Sequence, residues 1–186
     1  MTEANKTPKL QLGHATLAAK DLDSLSAFYS EVLGFQVTDR GPVGPDGGEI
    51  AFLSQDPRYH HQIAMVSGVP TPDHAFMMVE HLAFRTGSLD DLRELQTRLE
   101  AAEIKGVLQI SHGNAWSLYF DDPEGNGVEC FVDSPFHVAQ PFAKGFDLSQ
   151  GDDEILESTR ELLQGEPDFG PMEEWRQGFV KSLDGE

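Results

Sequence analysis

An internal repeat constrains this chain more than any other feature. From Gly13 it reads GHATLAAKDLDSLSAF, and from Glu80 it reads EHLAFRTGSLDDLREL. One constant offset sets His14 on His81, Asp21 on Ser88, Leu22 on Leu89, Asp23 on Asp90 and Leu25 on Leu92. Self-similarity at a fixed spacing means that one supersecondary unit is used twice. Each copy opens with a short strand bearing a histidine. A helix-capping residue follows, Asp21 or Ser88, and then an apolar helix.

The first helix places Leu22, Leu25, Phe28, Tyr29, Val32 and Leu33 at helical spacing, with Gly34 to stop it. The second carries Leu89, Leu92, Leu95 and Leu99, with Gly106 to stop it, and Ser88 with Asp91 resembles a capping box with a shorter acid. Three strand-like runs follow each helix. They are FQVTD, EIAFLS and QIAMVSG in the first copy, and VLQIS, WSLYF and VECFV in the second. Turn-forming segments GPVGPDGG, DPR, HGN and DPEGNG divide them. Each copy therefore reads β-α-β-β-β. One such unit leaves a sheet face bare, whereas two can pair. The expected fold is α+β: two paired βαβββ modules, at about residues 9–69 and 76–134, forming a curved eight-stranded sheet with the helices outside. Residues 1–134 are then one domain. Residues 135–186 read as an acidic helical extension, with helices near 152–164 and 172–183. Trp175, Phe179 and Leu183 form one stripe on the second helix, expected to be packing. For the extension as a whole, a lid, a dimer arm and a strap stay open.

At 186 residues the chain is long enough to bury a core without staples. Lys and Arg total 13 against 32 Asp and Glu, a formal charge of −19. Phosphate binding depends on cations, so this balance excludes sequence-independent nucleic-acid binding and disfavours anionic membrane surfaces. The single cysteine, Cys130, permits no internal disulfide and suits a reducing compartment. No segment has the roughly 20 apolar residues that span a bilayer. The N-terminus lacks a signal-peptide core, and residues through Pro8 read as a loose leader. The expected setting is the cytoplasm. A homo-oligomer is left open.

Seven histidines are present: His14, His60, His61, His74, His81, His112 and His137. A lone strand histidine is usually structural. His14 and His81, however, hold equivalent places in two related modules. Glu129 lies in the apolar strand VECFV, and a carboxylate there is costly to bury unless it is paired or ligates a metal. Two neutral imidazoles and one carboxylate make the facial triad suited to Fe(II), with positions left for a chelating substrate and dioxygen. Mn(II) suits the same donors.

These residues bring the chain to a resemblance. The paired modules with His14, His81 and Glu129 resemble the vicinal oxygen chelate superfamily, and within it the one-domain type I extradiol catechol dioxygenases. That group ends its active-site domain with Y-F-x-D-P-x-G-N-x-x-E. From Tyr119 to Glu129 this chain reads YFDDPEGNGVE, matching every fixed position. The group's H-x-[IVL]-A strand is matched by HQIA from His61, and EHLAF matches the position of its second metal histidine. The likeness covers residues 9 to about 134.

The resemblance implies an extradiol ring-cleaving dioxygenase that inserts both atoms of O2 into a catechol-type aromatic diol. His14, His81 and Glu129 would hold non-heme Fe(II). His61 would act as acid–base residue beside the dioxygen site, and Tyr119 would hydrogen-bond a substrate oxygen. His112 would be the further histidine upstream of the tyrosine, although it stands closer to Tyr119 than is usual. The segment between His61 and His81 is longer than usual, and His74 within it reads as a loop residue. Phe52, Phe120 and Phe131 are candidates for an aromatic pocket. His60 replaces His61 if the strand slips by one. The repeat offset also sets Gln62 on Glu129. If Gln62 faced the metal, the four-ligand site would resemble a glyoxalase-like isomerase or lyase. A metal-free small-molecule-binding protein is the remaining alternative.

Overall fold

The computed structural model describes residues 13–43, 48–57, 59–68 and 81–184, and it divides into two compact units, 1–74 and 75–186. His74 and the leader through Pro8 lie outside the described residues.

In the first unit β1 (Ala15–Ala18), α1 (Leu22–Glu31), β2 (Gln36–Val43), β3 (Gly48–Ser54) and β4 (Ile63–Val66) follow the expected β-α-β-β-β order. They form a sheet in the order β1-β4-β3-β2, with β1 parallel to β4 and the other pairs antiparallel. Asp21 caps α1, its carboxylate accepting from Ser24 N–H at 3.0 Å. Leu22, Leu25, Phe28 and Tyr29 are buried, and α1 packs on β2, β3 and β4. Leu17, Ala51, Leu53, Ile63 and Met65 supply the rest of that core. The strands alternate, so His14, Thr16, Gln62 and Ala64 belong to the face away from α1.

The second unit repeats the plan with β5 (His81–Arg85), α2 (Leu89–Ala101), β6 (Leu108–Ser111), β7 (Ala115–Asp121) and β8 (Gly127–Asp133). Ser88 Oγ caps α2 by accepting from Asp91 N–H at 3.1 Å. The Asp91 carboxylate accepts in turn from Gly87 N–H at 3.0 Å, one residue before the cap. Helix α2 ends earlier than Gly106 suggests. Glu103 takes the left-handed conformation at φ 56°, and Ile104 N–H bonds back to Leu99 C=O at 3.0 Å. The buried stripe Leu89, Leu92, Leu95 and Leu99 lies on β7 and β8, against Trp116, Leu118, Phe120, Val128 and Cys130.

The C-terminal segment is built into this second unit. It comprises β9 (Phe136–His137), β10 (Lys144–Gly145), α3 (Asp152–Leu163), β11 (Gly170–Pro171) and α4 (Met172–Asp184). β10 pairs with β6, making a sheet in the order β10-β6-β7-β8-β5, while β11 pairs with β9. The module's four strands are thus joined by a fifth from the extension. The Arg93 guanidinium of α2 holds the incoming chain by donating to Leu148 C=O (3.0 Å) and Gln150 C=O (2.7 Å) and pairing with Asp152 (2.7 Å). Trp116 Nε1 donates to Thr159 Oγ1 at 2.9 Å. Phe136, Val138, Phe142 and Leu163 form a small buried core. These contacts fasten the segment to the second module like a strap. Trp175 and Phe179 are 45% and 49% exposed, so this stripe packs at the surface and not in a core. Trp175 instead stacks on His137 (5.0 Å) and on Phe179 (5.4 Å). The side chain of Leu183 lies outside the described residues.

Candidate active site

Glu129 is 8% exposed in the middle of β8, opposite Tyr119 of β7 and level with Ala83 of β5. The turn before β8 fixes it there. Asp122 Oδ1 accepts the N–H groups of Glu124 and Asn126, each at 2.9 Å, and its Oδ2 accepts from Asn126 Nδ2 at 2.8 Å. Gly125 adopts φ 82° at the tip. The D-P-x-G-N run is therefore a clamp that sets the register of β7 against β8.

The two oxygens of Glu129 do different work. Oε1 accepts from Ser117 Oγ and from the Tyr119 hydroxyl, both at 2.7 Å. Oε2 lies 3.3 Å from His81 Nε2. Octahedral ligands at about 2.1 Å from an ion stand about 3 Å apart, so this carboxylate–imidazole pair has the spacing of neighbouring ligands on one cation. Imidazole nitrogen and carboxylate oxygen also suit Fe(II) or Mn(II) as donors. The residues present therefore fit a divalent metal.

His112 follows β6. Its Nδ1 lies 2.8 Å from Phe142 C=O, and its Nε2 lies 2.9 Å from the Tyr119 hydroxyl. A carbonyl only accepts, so Nδ1 carries a proton. Nε2 can then accept from Tyr119, or carry a second proton and donate to it while Tyr119 donates to Glu129. The three groups form a chain along which one proton can be held or shifted. Sequence reasoning missed Ser117, which is fully buried beneath this chain. The signal was parity, because Ser117 is two positions from Tyr119 on one strand and so shares its face.

His14 and His61 belong to the first unit, with ring centroids 4.5 Å apart. Phe52 packs on His61 at 4.8 Å, and His60 Nδ1 lies 3.0 Å from His61 Nδ1. Burial, then the neighbouring His14 and His60, pushes the His61 pKa below the usual histidine value. Among the described residues, no group of three or more His, Cys, Asp or Glu side chains that could hold a metal is assembled. The candidates divide between the repeats as the repeat itself divides them.

The strand register resolves Gln62. Ala15 pairs with Ile63 where Leu82 pairs with Val128, so Thr16–Ala64 corresponds to Ala83–Glu129. Buried Ala64, not Gln62, is the counterpart of Glu129. The Gln62 side-chain oxygen instead accepts from Gln55 N–H at 2.8 Å and Ser54 Oγ at 3.4 Å.

A cavity of about 500 Å³ opens in the second unit above Glu129, Tyr119 and His112. Phe131 lines it, whereas Phe120 is on the sheet face that packs on α2 and Phe52 is in the first unit. Its outer wall includes Trp175 and Arg176 of α4. On the opposite sheet face, burial and then the Glu129 charge push the Cys130 thiol up to about 12. No helix of the described residues is long and apolar enough to cross a membrane.

The family model described as the glyoxalase/bleomycin resistance protein/dioxygenase superfamily matches residues 11–130. Biphenyl-2,3-diol 1,2-dioxygenase 3 of Rhodococcus globerulus is 31% identical over 132 residues, 69% of this chain and 65% of that protein. Catechol-2,3-dioxygenase of Bacillus subtilis is 33% identical over 132 residues, 67% of this chain and 42% of that protein. The chain thus spans less than two thirds of the length of these relatives. Among solved structures, a glyoxylase/bleomycin resistance protein/dioxygenase domain from Frankia sp. EAN1pec superposes with a TM-score of 0.57 at 23% identity, covering 68% of this chain and 94% of that one. A fosfomycin resistance protein from Listeria monocytogenes, solved with Mn(II) and sulfate, gives 0.51 at 18% identity, covering 67% and 93%. At these identities the structural likeness concerns the fold.

Proposed function

Because the chain belongs to the glyoxalase/bleomycin resistance protein/dioxygenase superfamily, we propose that it is an extradiol dioxygenase cleaving a catechol-type diol with O2. The observation that carries this reading is Glu129, a buried carboxylate that presents Oε2 to His81 while Ser117 and Tyr119 hold Oε1. His81 and Glu129 would be two ligands of a non-heme Fe(II), with Mn(II) as the other metal these donors suit. His14, the repeat counterpart of His81, would be the third. On this reading the two modules of residues 1–134 act as one catalytic domain, in the cytoplasm. The names of the curated relatives favour an aromatic diol and O2 as substrates.

A divalent metal held by these residues would supply Lewis-acid chemistry toward the diol oxygens and O2. The protein's own groups do the rest. Ser117 and Tyr119 fix the rotamer of Glu129, which keeps one oxygen available. Tyr119 and His112 hold a proton beside the substrate oxygens. His61 has a lowered pKa and is a neutral base at physiological pH, able to take a proton as negative charge develops on oxygen. A glyoxalase-like reading calls for a fourth ligand from Gln62. The bonded carboxamide oxygen and the place of Ala64 in the register favour three ligands instead.

The test is oxygen uptake by protein reconstituted anaerobically with Fe(II), given a catechol panel and then O2. Uptake with a yellow ring-opened product, lost in His81→Ala and Glu129→Ala, is expected. Bound metal without uptake on any diol overturns the reading, and absence of metal binding moves the weight to a metal-free binding protein.

A further inference from the structure

The far side of the cavity carries charge that the proposed chemistry does not use. Arg85 and Arg176 both line it, in a chain whose formal charge is −19. They converge on one carboxylate: Arg85 Nη1 lies 2.6 Å and Arg176 Nη2 3.3 Å from the same oxygen, Oδ2 of Asp133. Two guanidiniums against one carboxylate leave a net positive charge. Each Arg has five N–H donors in a planar fork and gives only one terminal nitrogen to Asp133. Their side chains are 61% and 51% exposed, so a ligand reaches them without displacing packing.

The sheet sets where this charge sits. Arg85 pairs with Phe131, two residues along β8 from Glu129. At a rise of about 3.3 Å per residue, that is about 7 Å along the strand. The guanidinium lies over the Phe131 ring at 5.0 Å from its centroid, with Asp133 holding its other side. The cavity thus has a carboxylate at Glu129, an aromatic wall at Phe131, and a cationic end two residues along the sheet from Glu129. Its volume of about 500 Å³ is ample for a substituted ring.

We infer that Arg85 and Arg176 form an anion subsite, and that the substrate is a monocyclic catechol bearing a carboxylate or similar anion across the ring from its hydroxyls. This rests on the dioxygenase reading for the diol half, but the anion subsite stands on its own geometry. Asp133 tempers the pair, keeping the two like charges together when no ligand is present. A neutral biaryl diol would set an apolar ring against two guanidiniums and gain no charged contact there.

Binding is read without oxygen, by calorimetry and tryptophan quenching, on the Fe(II)-loaded and the metal-free protein. The probes are 3,4-dihydroxybenzoate, catechol, 2,3-dihydroxybiphenyl and plain benzoate. The carboxylated diol should bind about ten-fold or more tighter than catechol, as charge-assisted hydrogen bonds permit. Metal-free protein should still take benzoate, more weakly in high salt. In Arg85→Gln and Arg176→Gln the preference for the anion should collapse, with the unfolding midpoint as the check on folding. Asp133→Asn should move the other way and strengthen anion binding, a gain that misfolding cannot mimic. Equal binding of neutral and anionic diols, or an unchanged preference in both Arg variants, overturns the inference. Turnover confined to neutral diols sinks the subsite and leaves the dioxygenase reading intact. Arginine-dependent benzoate binding with no oxygen uptake on any diol does the reverse.

Discussion

Glu129 shows how one residue ties strand register to chemistry. A carboxylate in an apolar strand is tolerated because Ser117, Tyr119 and His81 meet both of its oxygens. Glu129→Gln keeps the shape and removes the charge, so metal affinity should fall by about 100-fold or more in a competition titration, since even outer-shell changes reach that size. Tyr119→Phe leaves Ser117 in place and should cost about 10- to 100-fold in metal affinity, with about 1 kcal/mol of stability lost in urea unfolding. Cys130, its thiol pushed up to about 12 chiefly by burial, should resist iodoacetamide in the folded protein and react once it is unfolded. The cluster of His81, Glu129 and Tyr119 was legible because a repeat and a fixed-spacing motif name positions. Ser117 and Asp133 were overlooked because serine and aspartate are common, although parity along β7 and β8 sets them on the face of Tyr119 and Glu129. The repeat offset misled at Gln62, since the loops before β4 and β8 differ in length and only hydrogen-bonded register sets Ala64 against Glu129.

At the level of elements, both caps and both amphipathic helices could be read directly, because their determinants lie within a few residues. The end of α2 could not, since Glu103 accepts a left-handed conformation that a glycine was expected to supply. The C-terminal segment was legible as two helices but not as a strap. Its anchors are long-range pairs such as Arg93 with Leu148 C=O and Trp116 with Thr159. Exposure of Trp175 and Phe179 was equally invisible, because a helical stripe does not say whether anything covers it. The strap closes tightly on the module at Gly113, where φ is 74° and an added Cβ would stand 2.6 Å from Val138 Cγ1. Gly113→Ala should therefore loosen the segment as well as strain the turn. Leu163→Ala, in a fully buried position of the same cluster, should cost about 2–5 kcal/mol in chemical unfolding. Native-state hydrogen exchange should show α3 opening first in both variants, and an unchanged exchange pattern would contradict the strap.

For the whole molecule, the −19 charge sets the response to solvent. Raising salt from about 0.01 M to about 0.15 M shortens the screening length from about 30 Å to about 8 Å. Self-repulsion then weakens, so the thermal midpoint should rise with salt, and a fall would show that specific ion pairs outweigh the net charge. The repeat is asymmetric at one place: the second module carries Glu129 where the first carries Ala64. That asymmetry underlies the three-ligand reading and the ring-cleaving chemistry proposed from it. The most direct test is isotopic. Protein loaded with Fe(II) is given a catechol, first plain and then carboxylated, under labelled dioxygen, and the product is weighed by mass spectrometry. Both labelled atoms in a ring-opened product are the predicted result. An isomerised or cleaved product carrying no label would contradict the account.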